Sequence, residues 1–281
     1  MIRWLIKPIS SEVSKYVECF WFLEKTEVNL GIDSPKLNPD PCAHIIISLP
    51  KQPYCYKSHN NHFQGYGNHW LYPFSNTLEL DHAHAFSCIG IKFHVGALYS
   101  LKIIDFTQAK INTVTEIIFN EIKGNNTYNE QDLLTMAQTK PLICCETIER
   151  LIMSWFEQPF EDTHSKLTRR VMPLLPNHTI NALGDILQCS QRTLERSFLK
   201  VTGLTLKQCQ SMNKLEDILT YLYQRKTCDI NWVDVAYQFG FSDQPHLIRY
   251  LKKQINLTPK NYAVKRELTI DVYGGIDLTK R

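Results

Sequence analysis

Long apolar runs are missing from this sequence: none approaches the roughly 18 residues needed to span a bilayer, so no membrane partner is expected. The opening stretch MIRWLIKPISSEVSKYVECF lacks the apolar core and small-residue cleavage site of an export signal, so secretion is not expected either. Nor do the cysteines pair along the chain, apart from the adjacent Cys144 and Cys145. The nine cysteines are an odd number without CxxC spacing, which points to reduced thiols in a cytoplasmic setting rather than a disulfide framework. P-loop, GxSxG, HExxH and dinucleotide fingerprints are absent, so nothing marks the chain as an enzyme and no cofactor is expected.

What is present is uneven. The 281 residues suffice for two domains with separate cores. Residues 1–165 hold 13 Lys and Arg against 18 Asp and Glu, whereas residues 166–281 hold 18 against 10. The C-terminal part is therefore the one that draws a polyanion.

Up to about residue 105 the texture is strand-like: HIIISL (44–49), YCYK (54–57), NTLELDH (76–82) and FSCIGIKFH (86–94) are short runs between Pro and Gly. SSEVSKYVECFWF can open as helix or strand. From about 113 apolar residues recur at spacings of three and four in TVTEIIFNEI, NEQDLLTMAQ and PLICCETIERLIMSWFEQ, which predicts helices. The polar segment PFEDTHSK (159–166) reads as a linker, and only helical patterns follow. The expected fold is α+β and multidomain: a β-rich domain, cupin-like or sandwich, over 1–112, a helical connector over 113–165, and an all-α domain over 166–281 with two helix-turn-helix units. The tail TIDVYGGIDLTKR receives no role.

Those two units come from an internal repeat. LGDILQCSQRTLERSFLKVTG (183–203) and VAYQFGFSDQPHLIRYLKKQIN (235–256) share a small residue, Gly184 or Ala236, then a turn, a Ser, a Leu, and an Arg two beyond that Leu. The small residue lets two helices cross closely, and Ser or Asp caps the second helix. In each second helix the apolar residues (Leu194 and Phe198; Leu247, Tyr250 and Leu251) face inward. That leaves Gln191, Arg192, Glu195 and Arg196 outside in one, and Asp243, Gln244, His246 and Arg249 in the other. Arg matches guanine edges, Gln adenine, and Glu cytosine N4, so the eight are candidate base contacts. Lys200, Lys207, Lys252, Lys253 and Lys260 are placed for phosphates. The stretch TLKQCQSMNKLEDILTYLYQ between the units is long enough for a rigid helix.

Residues 175–265 resemble the DNA-binding domain of AraC/XylS-family transcription regulators, on LERSFLKVTG and VAYQFGFSDQPHLIRYLKKQINLTPKNY. The resemblance implies base contacts from Arg192, Glu195, Arg196, Gln244, His246 and Arg249, and a cytoplasmic bacterial regulator, an activator of transcription. Implied partners are double-stranded DNA, a small-molecule effector, a second copy of the chain and RNA polymerase. Three positions depart from the family pattern: Gly184 for Ala, Ile218 at a small-residue position, and Asn256 for Gly, which can still take a left-handed cap.

The N-terminal part resembles the β-rich sensing or dimerisation domains of such regulators, through NPDPCAHIIISL and CIGIKFHVGALYSL. Trp21, Tyr54 and Tyr66 are candidates to line an apolar ligand pocket, with Lys92 as a charged anchor for a carboxylate. His82 and His84 on one strand face, with His94 a strand away, have a metal-like spacing, but the Glu that would complete such a set is missing and no metal is expected. The alternatives are an interaction module without DNA contact, and a thiol enzyme built on Cys42 or Cys88.

Overall fold

The structure, a computed structural model, describes residues 2–26, 33–58, 61–102, 109–123 and 127–273. The N-terminal elements are β1 (Ile2–Ile6), α1 (Ser11–Ser14), β2 (Val17–Lys25), β3 (Lys36–Leu37), β4 (His44–Ser48), β5 (Pro53–Lys57), β6 (His62–Tyr66), β7 (His69–Leu71), β8 (Leu78–Leu80), β9 (Phe86–Phe93), α2 (Ala97–Leu101), β10 (Val114–Glu116), α3 (Phe119–Lys123), α4 (Glu130–Thr139) and α5 (Pro141–Ile152). The strands form two sheets, ordered β1-β2-β9-β4-β7-β10 and β3-β8-β5-β6, with antiparallel pairing throughout.

Alternation along the strands of the larger sheet builds three layers. Phe20, Phe22, Ile45, Ile47, Ile89 and Ile91 are buried against Leu133, Leu134, Cys144 and Ile148 of α4 and α5. Their neighbours Leu23, Ile46 and Cys88 belong to a cluster on the opposite face, with Trp21 packed against it. Trp21 lies over Gly90, its partner on β9, where an added Cβ would sit 1.9 Å from the indole. The helices are pinned as well as packed: Trp4 donates to the Ala137 carbonyl at 2.8 Å, and Glu149 accepts from the backbone N–H groups of Ile9 and Ser10. The segment from Ile117 to Phe156 thus shares the core of the sheet domain, where the sequence pattern predicts a separate helical connector over 113–165. TVTEIIFNEI, read as one helix, opens as β10 and becomes helical only at Phe119, because Val114–Glu116 pair with β7.

The C-terminal elements are α6 (Thr163–Val171), α7 (Ile180–Ile186), α8 (Gln191–Thr202), α9 (Leu206–Tyr223), α10 (Trp232–Gln238), α11 (Gln244–Ile255), α12 (Pro259–Lys265) and α13 (Thr269–Tyr273). The expected linker is held fast: Asp162 caps α6, and Glu161 accepts from Tyr16 and pairs with Arg169. Leu206, Cys209 and Met212 of α9 join a cluster with Leu183, Leu194 and Phe198, while Leu215, Ile218, Leu219 and Leu222 join another with Val235, Leu247 and Leu251. One helix of about 27 Å therefore serves two cores. Ile218, large where the resembled family has a small residue, is fully buried in the second. Part of the unassigned tail forms α13, whose Val272 packs on Leu23, Ile46 and Cys88; residues 274–281 lie outside the described residues.

Candidate nucleic-acid interface

The repeat seen in the sequence is reproduced bond for bond in the two turns. Cys189 N–H donates to the Gly184 carbonyl at 2.9 Å, and Phe241 N–H to the Ala236 carbonyl at 2.8 Å, 52 positions on. Gly184 meets its turn tightly, since a Cβ there would lie 2.9 Å from the Cys189 carbonyl oxygen. The second helices are capped as expected: Ser190 accepts from Thr193 N–H at 3.1 Å, and Asp243 from His246 N–H at 2.6 Å. Asp243 rather than Ser242 is the cap, so the second turn is one residue longer and the leucines and arginines repeat at 53.

Leu194, Phe198, Leu247 and Leu251 are fully buried, which turns the opposite faces of α8 and α11 to solvent. Gln191, Arg192, Glu195 and Arg196 are all exposed, as are Asp243, His246 and Arg249, with Gln244 half-buried. They differ in what they already do. Gln191 donates to Glu195 at 2.8 Å, and the carboxylate of Asp243 is occupied by its cap. Among the described residues, Arg192, Arg196 and Arg249 make no side-chain hydrogen bond or ion pair, so their guanidinium groups are available for outside acceptors. Lys207, Lys252, Lys253 and Lys260 are exposed in the same unpartnered way. Lys200 is not. Its ammonium stands 4.0 Å from Asp162 and 5.9 Å from the Tyr99 ring, on the side of the β-rich domain.

That domain touches both units. Gly96, at φ +79, lies so close to α8 that a Cβ would stand 2.7 Å from Val201, and Gly203 at the end of α8 abuts Ile111. At the second unit, Thr77 donates to the Gln254 carbonyl in the last turn of α11 at 2.8 Å. Lys36 N–H donates to the Glu267 carbonyl at 2.9 Å and its ammonium pairs with the Glu267 side chain. Asn38 donates to Glu216 of α9 at 2.9 Å. None of these contacts carried a sequence signal, because each joins residues far apart in the chain.

The four expected pocket residues do not share one space. Trp21 and Lys92 line a chamber between the sheets, Tyr54 lines a separate recess, and Tyr66 is exposed on β6. Lys92 is paired with Glu18 at 3.2 Å and lies 3.9 Å from Asp40. Burial works against its charge, but Asp40, with Glu18 and Glu216, outweighs that and keeps it protonated. The histidines are likewise apart. His82 and His84 fall in the bend before β9 rather than on a strand, and His94 lies beyond the far end of that eight-residue strand, bonded to the Ser14 carbonyl. No group of three metal-ligating side chains occurs among the described residues. The thiols of Cys42 and Cys88 are pushed up by burial, Cys88 to about 12, the reverse of nucleophile activation.

Comparison with known proteins agrees with this division. Residues 183–265 match the family described as Helix-turn-helix domain, and residues 6–114 match a domain of unknown function, DUF6597. The C-terminal part therefore carries a helix-turn-helix domain, in the place where the sequence repeat and the two capped turns put it. No curated protein matches the sequence. Among solved structures, ToxT from Vibrio cholerae is similar at 13% identity and a TM-score of 0.44, covering 89% of this chain and 98% of that one. ToxT from Vibrio cholerae strain SCE256 with unsaturated fatty acid bound is similar at 14% identity, TM-score 0.44, over 89% and 94% of the two chains. The AraC-like transcriptional activator CuxR is similar at 11% identity, TM-score 0.27, over 78% and 86%.

Proposed function

We propose that this regulator reads duplex DNA with α8 and α11 in two major-groove segments on one face of the helix, and that the β-rich domain governs how the pair is presented. The observation that carries the reading is the pairing of two capped, repeat-related helices, each with a free arginine on its solvent face, packed on opposite ends of one shared helix, α9. Arg196 and Arg249 take direct base contacts, with Arg192, Gln191, Glu195, Gln244 and His246 beside them. Asp243 acts through its cap. Lys207, Lys252, Lys253 and Lys260 take phosphates, while Lys200 reaches DNA only by leaving Asp162.

Control through the β-rich domain is supported by its contacts with both units, since a shift at either contact alters the presentation of a reading helix. A second copy of the chain and RNA polymerase are the further partners in this reading, on the strength of the family resemblance.

Footprinting the purified chain on genomic fragments tests the proposal and yields the site. Protection of a discrete sequence is expected. With four phosphate lysines free, affinity should fall about 150-fold between about 50 and 200 mM salt. Binding that ignores sequence and salt alike would exclude it.

A further inference from the structure

We propose that the space between the β-sheets and α9 is the binding site of a small organic cation, an ammonium carried on an apolar body. The space has two parts. An outer cavity of about 760 Å³ is walled by the β-rich domain, by α6 and by the middle of α9, within the roughly 300–1,000 Å³ of small-molecule sites. An inner chamber of about 170 Å³ lies between the sheets, where Trp21, Tyr56 and Leu80 supply apolar surface and Ile270 of α13 forms part of the wall. Asp40, Lys92 and Glu216 line both, so the passage from one to the other is charged while the chamber beyond it is largely apolar.

The sign of the missing charge follows from who is already paired. Every Lys and Arg on the outer wall has a carboxylate: Lys92 has Glu18 and Asp40, Arg169 has Glu161, and Lys15 has Glu12. Two carboxylates have no such partner. Glu216 accepts one hydrogen bond from Asn38, and among the described residues no Lys or Arg lies within 4.0 Å of Glu216 or Asp217. Glu216 is exposed to the cavity, yet desolvation by the atoms around it pushes its carboxyl up, and Asp40 and Glu18 add to this against Lys92 and the Asn38 hydrogen bond. An added ammonium would relieve that, whereas an added carboxylate would have to draw Lys92 away from two anions.

The site also joins the parts that the proposed function needs joined, and only this consequence rests on that reading. Asp40 belongs to the β-rich domain, Glu216 to the strut α9, and Ile270 to the helix that follows the second unit. A cation held among them favours this arrangement of the domains over others and so couples occupancy to DNA affinity.

Thermal melting and calorimetry on the full chain test the binding step, with tryptamine, 2-phenylethylamine and hexylamine as probes and indole-3-propionate as the anionic counterpart. At about 10 mM, ten times the Kd of a millimolar binder, at least one amine should raise Tm by a few degrees and the carboxylate should not. Glu216→Gln keeps the Asn38 hydrogen bond and should weaken the amine about tenfold or more, while the unliganded melt stays level or rises because a disfavoured charge is removed. The proposal is overturned if no amine shifts Tm, if the carboxylate binds as well, or if Glu216→Gln binds undiminished. A footprint measured with and without amine separates the two readings: amine binding without any footprint removes the regulator reading and leaves the site.

Discussion

Gln188 and Gly240 hold the same place in their two turns, 52 positions apart, and both adopt left-handed backbone, at φ +55 and +67. Glycine takes that conformation without steric cost, whereas Gln pays for its Cβ. Nothing within 4 Å of Gly240 would obstruct a side chain, so the turn itself sets the requirement. Gln188→Gly should therefore stabilise the first unit by about 0.5–1 kcal/mol, after the added entropy of the unfolded chain is set against the relieved strain. Chemical denaturation of the two proteins reads this directly, and a loss of stability would contradict it.

On the proposed reading, the free arginines read bases and the free lysines hold phosphates. Arg249→Ala and Arg196→Ala should each cost about 1–3 kcal/mol and relax preference at one position of the site. Lys253→Ala should weaken all sequences alike and lower the salt slope by about 1. Binding selections with each variant distinguish the outcomes, and a uniform loss for Arg249→Ala would reassign it to a phosphate.

Thr77 ties the β-rich domain to the last turn of α11 through its hydroxyl. Thr77→Val keeps the shape and removes the donor, a loss of about 1 kcal/mol. Amide exchange in the C-terminal turn of α11 should then quicken about fivefold while exchange in α8 stays as it was. Equal changes in both helices would mean that the bond holds the whole domain rather than the second unit.

Acid should destabilise the sheet domain through His69, which is 2% exposed. Its Nδ1–H donates to the Gly67 carbonyl at 2.8 Å, so Nε2 accepts from Tyr56 at 2.7 Å and the ring is neutral. Burial lowers its pKa from 6.5 to about 4, against the Gly67 bond. The folded value lies below the unfolded one, so the unfolded state binds the extra proton between them. Stability is therefore retained above about pH 6.5 and falls toward pH 4, by on the order of 3 kcal/mol at most from this residue. His69→Gln should flatten the slope of stability against pH in that window. An unchanged slope would show that other groups set it.

The sequence revealed the elements whose periodicity is local. The apolar spacing of α8, α9 and α11 and the alternation of β4 and β9 were legible because each helix or strand buries one face of itself. β1, β3, β6 and β7 carry no such local signal, and the pattern over β10 is helical, because such short strands owe their form to distant partners, Val114–Glu116 to β7 above all. The same reason hides the cavity. Asp40, Lys92 and Glu216 meet only after the sheets have closed and α9 has docked, and no spacing along the chain announces it. Lys92 illustrates the cost: its residue type suggested an anchor for an anion, while its neighbours Glu18 and Asp40 had already claimed its charge.

The division of α9 between two cores has a consequence for how such a protein can change. If α8 and α11 read DNA as proposed, their solvent-facing side chains can be exchanged to suit new base pairs, since those positions take no part in the core. The pitch between the two readers cannot drift in the same way: one residue inserted between Met212 and Leu215 would swing the second unit about 100° around the axis and strip one leucine-lined seam from its partners. On that reading, vocabulary is open to variation, while the phasing of the two words on the duplex is locked by hydrophobic registration.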